Sequence, residues 1–146
     1  MLDNLVSEEL IRLNIEATDW QEAVRLAAQP LIDSGKIKPG YVDAIIENVK
    51  ENGPYIVITP GVALPHAKAE SEVLASALGI ATLKTPINFG NRDNDPVKYV
   101  FCLSSTGNQE HLNTLMDLAN LLEQKEFYDV LDKAESAKEI VEFLNK

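Results

Sequence analysis

The feature that most constrains the fold of this chain is the stretch of residues 73–83, which is apolar on both of its alternating faces. Alanine and glycine are interleaved there with larger aliphatic residues. Such a pattern is typical of a central β-strand in a sheet that is covered on both sides. A sheet of this kind needs a layer of helices on each face. The stretch therefore favours an α/β domain with three layers.

Strands and helices alternate along the rest of the chain. The pair Thr18 and Gln21 predicts a capping box at the start of the first long helix. Asn52, Gly53 and Pro54 form a turn signal that ends the second. The predicted strands are residues 11–15, 55–58, 73–83 and 97–103, with a surface loop at 88–96. The predicted helices run from Thr18 to near Gly35, from Pro39 or Gly40 to Asn52, and over about 108–124, 126–133 and 136–144, after a short helical turn within 2–10.

Composition limits the classes of partner. The chain has 146 residues, the length of one ordinary domain, and we take residues 1–146 as a single domain. The net charge of −10 argues against nucleic acid and anionic membrane surfaces and favours a basic protein partner. The single cysteine, Cys102, falls in a predicted buried strand and suits a reducing compartment. Without a signal-peptide pattern or a membrane-length apolar run, we expect a soluble cytoplasmic protein.

One of the two histidines, His66, lies in a segment suited to chemistry, where residues 61–68 read GVALPHAK. Pro65 fixes its own φ and biases Leu64 toward an extended backbone. The neighbouring small residues crowd the imidazole little, and Lys68 adds a cation two residues on. This combination favours a nucleophile that carries a phosphoryl group. The alternative is a solvated loop histidine that follows a proline.

The second histidine, His111, follows the predicted strand 97–103 and a polar connection. Either Asn108 caps the next helix, or Thr106 caps it with Gln109 completing a capping box. Both choices place His111 in or near the first turn, where backbone N–H groups and the helix dipole favour an anion. The dipole opposes a protonated imidazole, so His111 would act as a neutral donor to a phosphoryl oxygen or to the other ring. An ordinary surface histidine is the alternative.

The apolar residues of this helix predict the face that it buries. They repeat with helical spacing, and we expect them to lie together against the core. These residues are Leu112, Leu115, Met116, Ala119 and Leu122.

Residues 53–68, which read GPYIVITPGVALPHAK, resemble the active-site block of enzyme IIA proteins of the bacterial sugar phosphotransferase system. Further matches are the Asn-Asp-Pro-Val sequence at 94–97 and the block around His111. The similarity runs from about Ile11 to the C-terminus. It is to the mannitol/fructose superfamily, and most to its ascorbate-specific branch.

This resemblance implies a mixed β-sheet flanked by helices on both sides. It also implies that His66 accepts a phosphoryl group from the phosphocarrier HPr and passes it to a cysteine of a IIB component, with His111 as auxiliary histidine. The membrane IIC component would be involved only indirectly. Ascorbate, or a related sugar or pentitol, is implied as the transported compound by similarity alone.

The sequence departs from the family pattern in one respect. The mannitol branch carries an arginine on the helix before the active-site strand, whereas residues 47–50 read ENVK. Lys68 is the candidate replacement, although a lysine provides a point charge and not a bidentate fork. Lys50 is a weaker candidate, because a solvated lysine on a helix face is the commoner role.

Two other functions remain open. One is a regulatory domain of the same type, in which phosphorylated His66 signals to a protein partner. The other is a metal-dependent hydrolase that uses both histidines. Two histidines without a cysteine or carboxylate cluster make a poor zinc site, so we expect neither a metal nor another cofactor.

Overall fold

The computed structural model describes residues 2–146 and contains one five-stranded sheet in the order β1-β4-β5-β3-β2. Short 3₁₀ turns lie at Leu2–Asn4, Glu8–Leu10 and Glu70–Glu72. The strands are β1 (Ile11–Ile15), β2 (Val57–Thr59), β3 (Val62–Ala63), β4 (Ala77–Ile87) and β5 (Val97–Ser104). The helices are α1 (Trp20–Asp33), α2 (Pro39–Asn52), α3 (Asn108–Leu121), α4 (Lys125–Lys133) and α5 (Ala137–Leu144).

The sheet is mixed, as expected. Strand β4 pairs in parallel with β1 and antiparallel with β5, while β3 pairs in parallel with β5 and antiparallel with β2. The central position predicted for the apolar stretch is confirmed, but the strand begins at Ala77 and not at residue 73. The backbone just before Ala77 forms hydrogen bonds outside the sheet, because the N–H groups of Leu74 and Ala75 both donate to the carbonyl of Lys36.

Helices cover both faces of the sheet, which confirms the three-layer architecture. On one face α1 and α2 pack through residues such as Leu31 and Ile45. On the other face α3, α4 and α5 pack through residues such as Leu118, Phe127 and Ile140. Strand β4 contributes apolar residues to both layers. Its alanines and Leu83 face α1 and α2, while Leu78 and Ile80 face α3, α4 and α5.

A close approach of α1 to the sheet explains the small residues of β4. A Cβ added at Gly79 would lie 2.5 Å from Cδ1 of Leu31 and 3.4 Å from the carbonyl oxygen of Ala27. The helix therefore packs directly on the strand backbone at this point. Cys102 lies on β5 in the same layer with no exposed area, and its burial raises the pKa of its thiol to about 12.

Two local predictions are corrected by the structure. The N-cap of α1 is Asp19 and not Thr18, because the Asp19 carboxylate accepts from the N–H of Glu22 at 2.8 Å. The Glu22 carboxylate in turn accepts from the N–H of Thr18 at 2.9 Å. The cap thus lies one residue later than predicted, and it is not a reciprocal capping box, because the Glu22 carboxylate bonds to the N–H of Thr18 and not to that of the N-cap residue Asp19.

The predicted apolar face of α3 is partly wrong. Leu118 is buried, and Leu115 and Leu122 pack against the same core. Leu112 and Met116 are 51% and 59% exposed, and Ala119 is exposed as well. A helix turns about 100° per residue, so Leu112 lies about 120° around the axis from Leu118. A helix that contacts the core along one stripe cannot bury both positions.

No helix within residues 2–146 is both long enough and apolar enough to cross a bilayer.

Candidate active site

The segment that carries His66 is fixed at its start by Gly61. Gly61 has φ of +78°, which favours glycine, and its N–H donates to the carbonyl of Asn94 at 2.9 Å. Its carbonyl accepts from the N–H groups of Lys98 and Tyr99 on β5. The block at 94–97 singled out in the sequence therefore holds the entry to the histidine segment. Asp95 in that block orders its own loop, because its carboxylate accepts from two backbone N–H groups at 2.8 and 2.9 Å.

Beyond Gly61 the backbone follows the sheet to the histidine. Strand β3 pairs with β5, and the N–H of Leu64 then donates to the carbonyl of Ile56 at 2.7 Å. The carbonyl of Pro65 accepts from the N–H of Leu103 near the end of β5. The backbone on both sides of His66 is thus tied to neighbouring segments, and the side chain emerges at the C-terminal end of β5.

The imidazole of His66 has a defined tautomer. Its Nδ1 lies 2.6 Å from the carbonyl oxygen of Leu64. A carbonyl oxygen can only accept a hydrogen bond, so Nδ1 carries the proton and donates it. In the neutral imidazole the free lone pair is then on Nε2, which is the atom able to act as a nucleophile.

His111 lies beside His66. The two ring centroids are 6.0 Å apart and the rings are inclined by 45°. His111 follows the first three residues of α3, and its N–H donates to the carbonyl of Gly107. The N-cap is Gly107 and neither Thr106 nor Asn108, because Asn108 is already helical and the Thr106 hydroxyl is engaged with Ser76 at 3.1 Å.

The two histidines share a cavity of about 200 Å³. Lys68 also lines it, and it forms no salt bridge with another residue in the described part of the chain. Lys50 is exposed in the last turn of α2 and does not line the cavity. The lining residues are Tyr41, His66, Ala67, Lys68, Glu70, Ser105, Thr106, Gly107, Asn108 and His111.

The environment of His111 favours its neutral form. Burial lowers the pKa of His111, and repulsion from a charge on His66 lowers it further. An unperturbed histidine titrates near 6.5, so His111 is neutral at pH 7. A neutral imidazole keeps one N–H, which can donate to an oxygen placed between the two rings.

Two tyrosines that sequence reasoning missed complete the site. The buried hydroxyl of Tyr41 donates to the carbonyl of Leu103 at 2.7 Å and accepts from the N–H of Ala67 at 3.2 Å. The hydroxyl of Tyr55 donates to the carbonyl of His66 at 2.5 Å. Burial raises the pKa of both phenols, so both protons are retained at neutral pH. Tyr55 lies inside the family-like block at 53–68, and this was the one signal that pointed to it.

Comparison with known proteins decides the family. A sequence model described as the phosphoenolpyruvate-dependent sugar phosphotransferase system, EIIA 2, matches residues 4–146. The chain belongs to this family. As an enzyme IIA it is a phosphotransferase and a phosphoryl carrier of the sugar phosphotransferase system.

Curated relatives span the whole length of this enzyme IIA. The ascorbate-specific PTS system EIIA components of Escherichia coli (strain K12) and of Salmonella typhimurium are each 34% identical to it over 145 residues. Each alignment covers 99% of this chain and 94% of the relative.

Solved structures of the same family share the fold. The mannitol-specific cryptic phosphotransferase enzyme IIA of Escherichia coli superposes with a TM-score of 0.85 at 31% identity, over 98% of this chain and 97% of that one. The complex of the mannitol enzyme IIA with phosphorylated enzyme IIB, also from Escherichia coli, gives 0.83 at 25% identity over 96% of both chains. The fold of this enzyme IIA is therefore of the mannitol type.

The mannitol branch carries an arginine on the helix before the active-site strand, and the corresponding residues 47–50 of this chain include none. Residues 47–50 belong to α2, where Asn48 lies beside the Tyr55 hydroxyl and opposes the rise in the pKa of that phenol. The α2 side of the site is therefore polar but uncharged at this contact. Lys68 supplies the positive charge among the residues that line the cavity.

Proposed function

We propose that Nε2 of His66 accepts a phosphoryl group from HPr and passes it to a cysteine of a IIB component. The observation that carries this proposal is the 2.6 Å contact between Nδ1 of His66 and the carbonyl of Leu64, which leaves Nε2 free at a cavity shared with His111. A neutral imidazole with a free lone pair, on a residue that lines an open and polar cavity, is the arrangement that a phosphoryl acceptor requires.

The proposed transfer balances without a metal or a proton acceptor. The lone pair of Nε2 attacks phosphorus, and the Nε2–P bond forms as the bond from phosphorus to the carrier breaks, its electron pair staying with the carrier. The proton stays on Nδ1 and keeps its hydrogen bond to the Leu64 carbonyl oxygen throughout. In onward transfer the cysteine thiolate attacks phosphorus, the P–N bond breaks, and its electron pair returns to Nε2.

Phosphoryl transfer depends mainly on positioning and on stabilising the charge of the equatorial oxygens. His111 supports the proposal as a neutral N–H donor with its ring centroid 6.0 Å from that of His66. Lys68 supplies a cation on the same cavity, and Asn108 places the N-terminus of α3 there. Free N–H groups at a helix start favour bound anions.

The partners and the transported compound rest on similarity. A solved relative is a complex with phosphorylated enzyme IIB, which supports a IIB component as the acceptor. The curated relatives are ascorbate-specific, which supports ascorbate as the compound whose uptake this chain serves. We infer that the chain acts in the cytoplasm as a single domain over residues 1–146, in transport and not as a regulatory module.

Labelling with radioactive phosphoenolpyruvate in the presence of enzyme I and HPr tests the proposal. We expect one acid-labile, alkali-stable phosphoramidate on the wild-type protein and none on His66→Ala. His111→Gln, which keeps an N–H donor, serves as the matched control and should still be labelled. Label on His66→Ala would overturn the assignment of the acceptor.

Addition of purified IIB proteins then tests the partner. We expect the label to leave this chain for the IIB component of an ascorbate system faster than for that of a mannitol system. Label that stays on His66 with every IIB component would overturn the transport proposal and favour the regulatory alternative.

A further inference from the structure

Tyr55 contacts the residue that carries the nucleophile in two independent ways. Its hydroxyl donates to the main-chain carbonyl of His66 at 2.5 Å. Its ring meets the imidazole edge to face, with centroids 5.3 Å apart and planes at 84°. One side chain therefore constrains both the backbone and the ring of His66.

Tyr55 is itself held in place. Its N–H donates to the carbonyl of Gly53 at 2.8 Å, in the turn between α2 and β2. Its hydroxyl is bonded to the His66 carbonyl, and Asn48 on α2 lies beside it. A tyrosine anchored at its backbone and at its hydroxyl presents its ring in a fixed orientation.

We propose that Tyr55 is a positioning residue for phosphoryl transfer, which sets the rotation of the His66 imidazole so that Nε2 faces the cavity shared with His111. This inference rests on the proposed role of His66. The torsion that rotates an imidazole about its Cβ–Cγ bond is broad and has two preferred orientations. The Leu64 carbonyl holds one edge of the ring, and the edge-to-face contact with Tyr55 limits the remaining motion.

The rest of the loop does not depend on Tyr55. The carbonyl of Pro65 is bonded to the N–H of Leu103, and the N–H of Ala67 is bonded to the hydroxyl of Tyr41. Loss of the Tyr55 side chain should therefore leave the backbone on both sides of His66 in place while it releases the ring. The consequence is a defect in the transfer step and not in the fold.

Two substitutions separate the two contacts. Tyr55→Phe removes the hydroxyl and retains the ring edge, whereas Tyr55→Leu removes both. Tyr128→Phe is the matched control, because the Tyr128 hydroxyl also donates to a main-chain carbonyl, that of Leu122 at 2.6 Å, in the other helical layer. Circular dichroism and the melting temperature establish that each variant is folded.

The first measurement is the steady-state rate of phosphoryl transfer from HPr through this chain to an excess of a IIB component, which frees His66 after each transfer. A misplacement of about 1 Å can slow a reaction by roughly a hundredfold. We expect kcat to fall roughly three- to tenfold in Tyr55→Phe and roughly ten- to a hundredfold in Tyr55→Leu. The KM for HPr should be unchanged in both, and Tyr128→Phe should match the wild type. A raised KM with an unchanged kcat would show that Tyr55 contacts HPr and would overturn the positioning role.

The second measurement does not depend on phosphoryl transfer. The ¹⁵N chemical shifts of the His66 ring report the tautomer, and we expect the Nδ1–H form to dominate in the wild type and to mix with the other tautomer in Tyr55→Leu. Unchanged ring shifts together with unchanged kinetics in Tyr55→Leu would overturn the inference. If the wild-type protein is never labelled on His66, the proposed function fails, while the ring shifts still decide whether Tyr55 orients the imidazole.

Discussion

A main-chain carbonyl, and not a carboxylate, sets the tautomer of His66. The acceptor is the Leu64 oxygen, two residues before the histidine in the chain. A carboxylate in that place would add a negative charge beside a phosphoryl group that is itself an anion. A neutral acceptor fixes the proton on Nδ1 without that repulsion. A main-chain carbonyl thus fixes the tautomer of His66, whereas in many catalytic histidines the carboxylate of an acidic side chain does so.

The lowered pKa of His111 gives a prediction for that single residue. Burial is the larger cause and charge on His66 the smaller one, so His66→Gln should raise the pKa of His111 only part of the way toward about 6.5. NMR titration of the ring proton shifts measures this value. A wild-type midpoint at or above about 6.5, or full recovery in His66→Gln, would contradict the stated causes.

Phosphorylation should reverse the sign of this effect. A phosphoryl group on His66 places negative charge beside His111 and favours its protonated form. The pKa of His111 should therefore rise above its value in the unmodified protein. Titration of the alkali-stable phosphoprotein from high pH downward tests the direction, and a further decrease would show that the phosphoryl group points away from His111.

At the scale of single residues, the sequence identified groups with an intrinsic chemistry and missed those whose role depends on distant backbone. His66 stood out because Pro65 restricts the backbone that leads into it and Lys68 is near, and all three are neighbours in sequence. Tyr41 lies in the apolar stripe of α2 and looks like any core residue there. Its hydroxyl has a role only because the carbonyl of Leu103 comes within 2.7 Å, and no local pattern places that strand.

Among the elements, α3 shows how far periodicity can be trusted. Its apolar residues occupy a sector wider than the helix can bury, and the contact with the core falls on Leu118. The strands predicted at 11–15 and 97–103 match β1 and β5 closely, whereas those predicted at 55–58 and 73–83 are displaced toward the C-terminus in β2 and β4. Strand β3, with only Val62 and Ala63, is too short to produce a pattern. Its pairing is set by β5, which is remote in sequence.

The buried face of α3 can be tested by stability. Leu118→Ala should reduce the free energy of unfolding by about 2–5 kcal/mol, because Leu118 is 1% exposed and its loss leaves a cavity. Leu112→Ala, the same change on the exposed side, should stay within about 0.5 kcal/mol of the wild type. Urea denaturation followed by circular dichroism measures both. A larger loss for Leu112→Ala than for Leu118→Ala would place the core contact on the face first predicted from the sequence.

Across the whole molecule the dominant property is the net charge of −10. The cavity itself is not uniformly acidic, since Lys68 and Glu70 both line it. Most of the negative charge therefore acts on a partner from a distance. Long-range attraction of this kind raises the rate of association with a basic protein more than it slows dissociation.

The family resemblance implies that HPr presents a basic interaction face, so association with HPr should depend on ionic strength. Raising it from about 0.01 M to about 0.15 M shortens the Debye length from about 30 Å to about 8 Å, so the association rate constant should fall while the dissociation rate constant changes little. Stopped-flow fluorescence resolves the two constants. An association rate constant that does not respond to salt would show that short-range apolar contacts drive the encounter.

The burial of Cys102 has a consequence for redox chemistry. It is the only cysteine in the chain, it has no exposed area, and the raised pKa keeps its sulfur protonated at neutral pH. Thiol–disulfide exchange needs an accessible thiolate. A partner that presents a reactive cysteine to His66 can therefore bind and leave many times without being trapped as a mixed disulfide, even when the surroundings become oxidising.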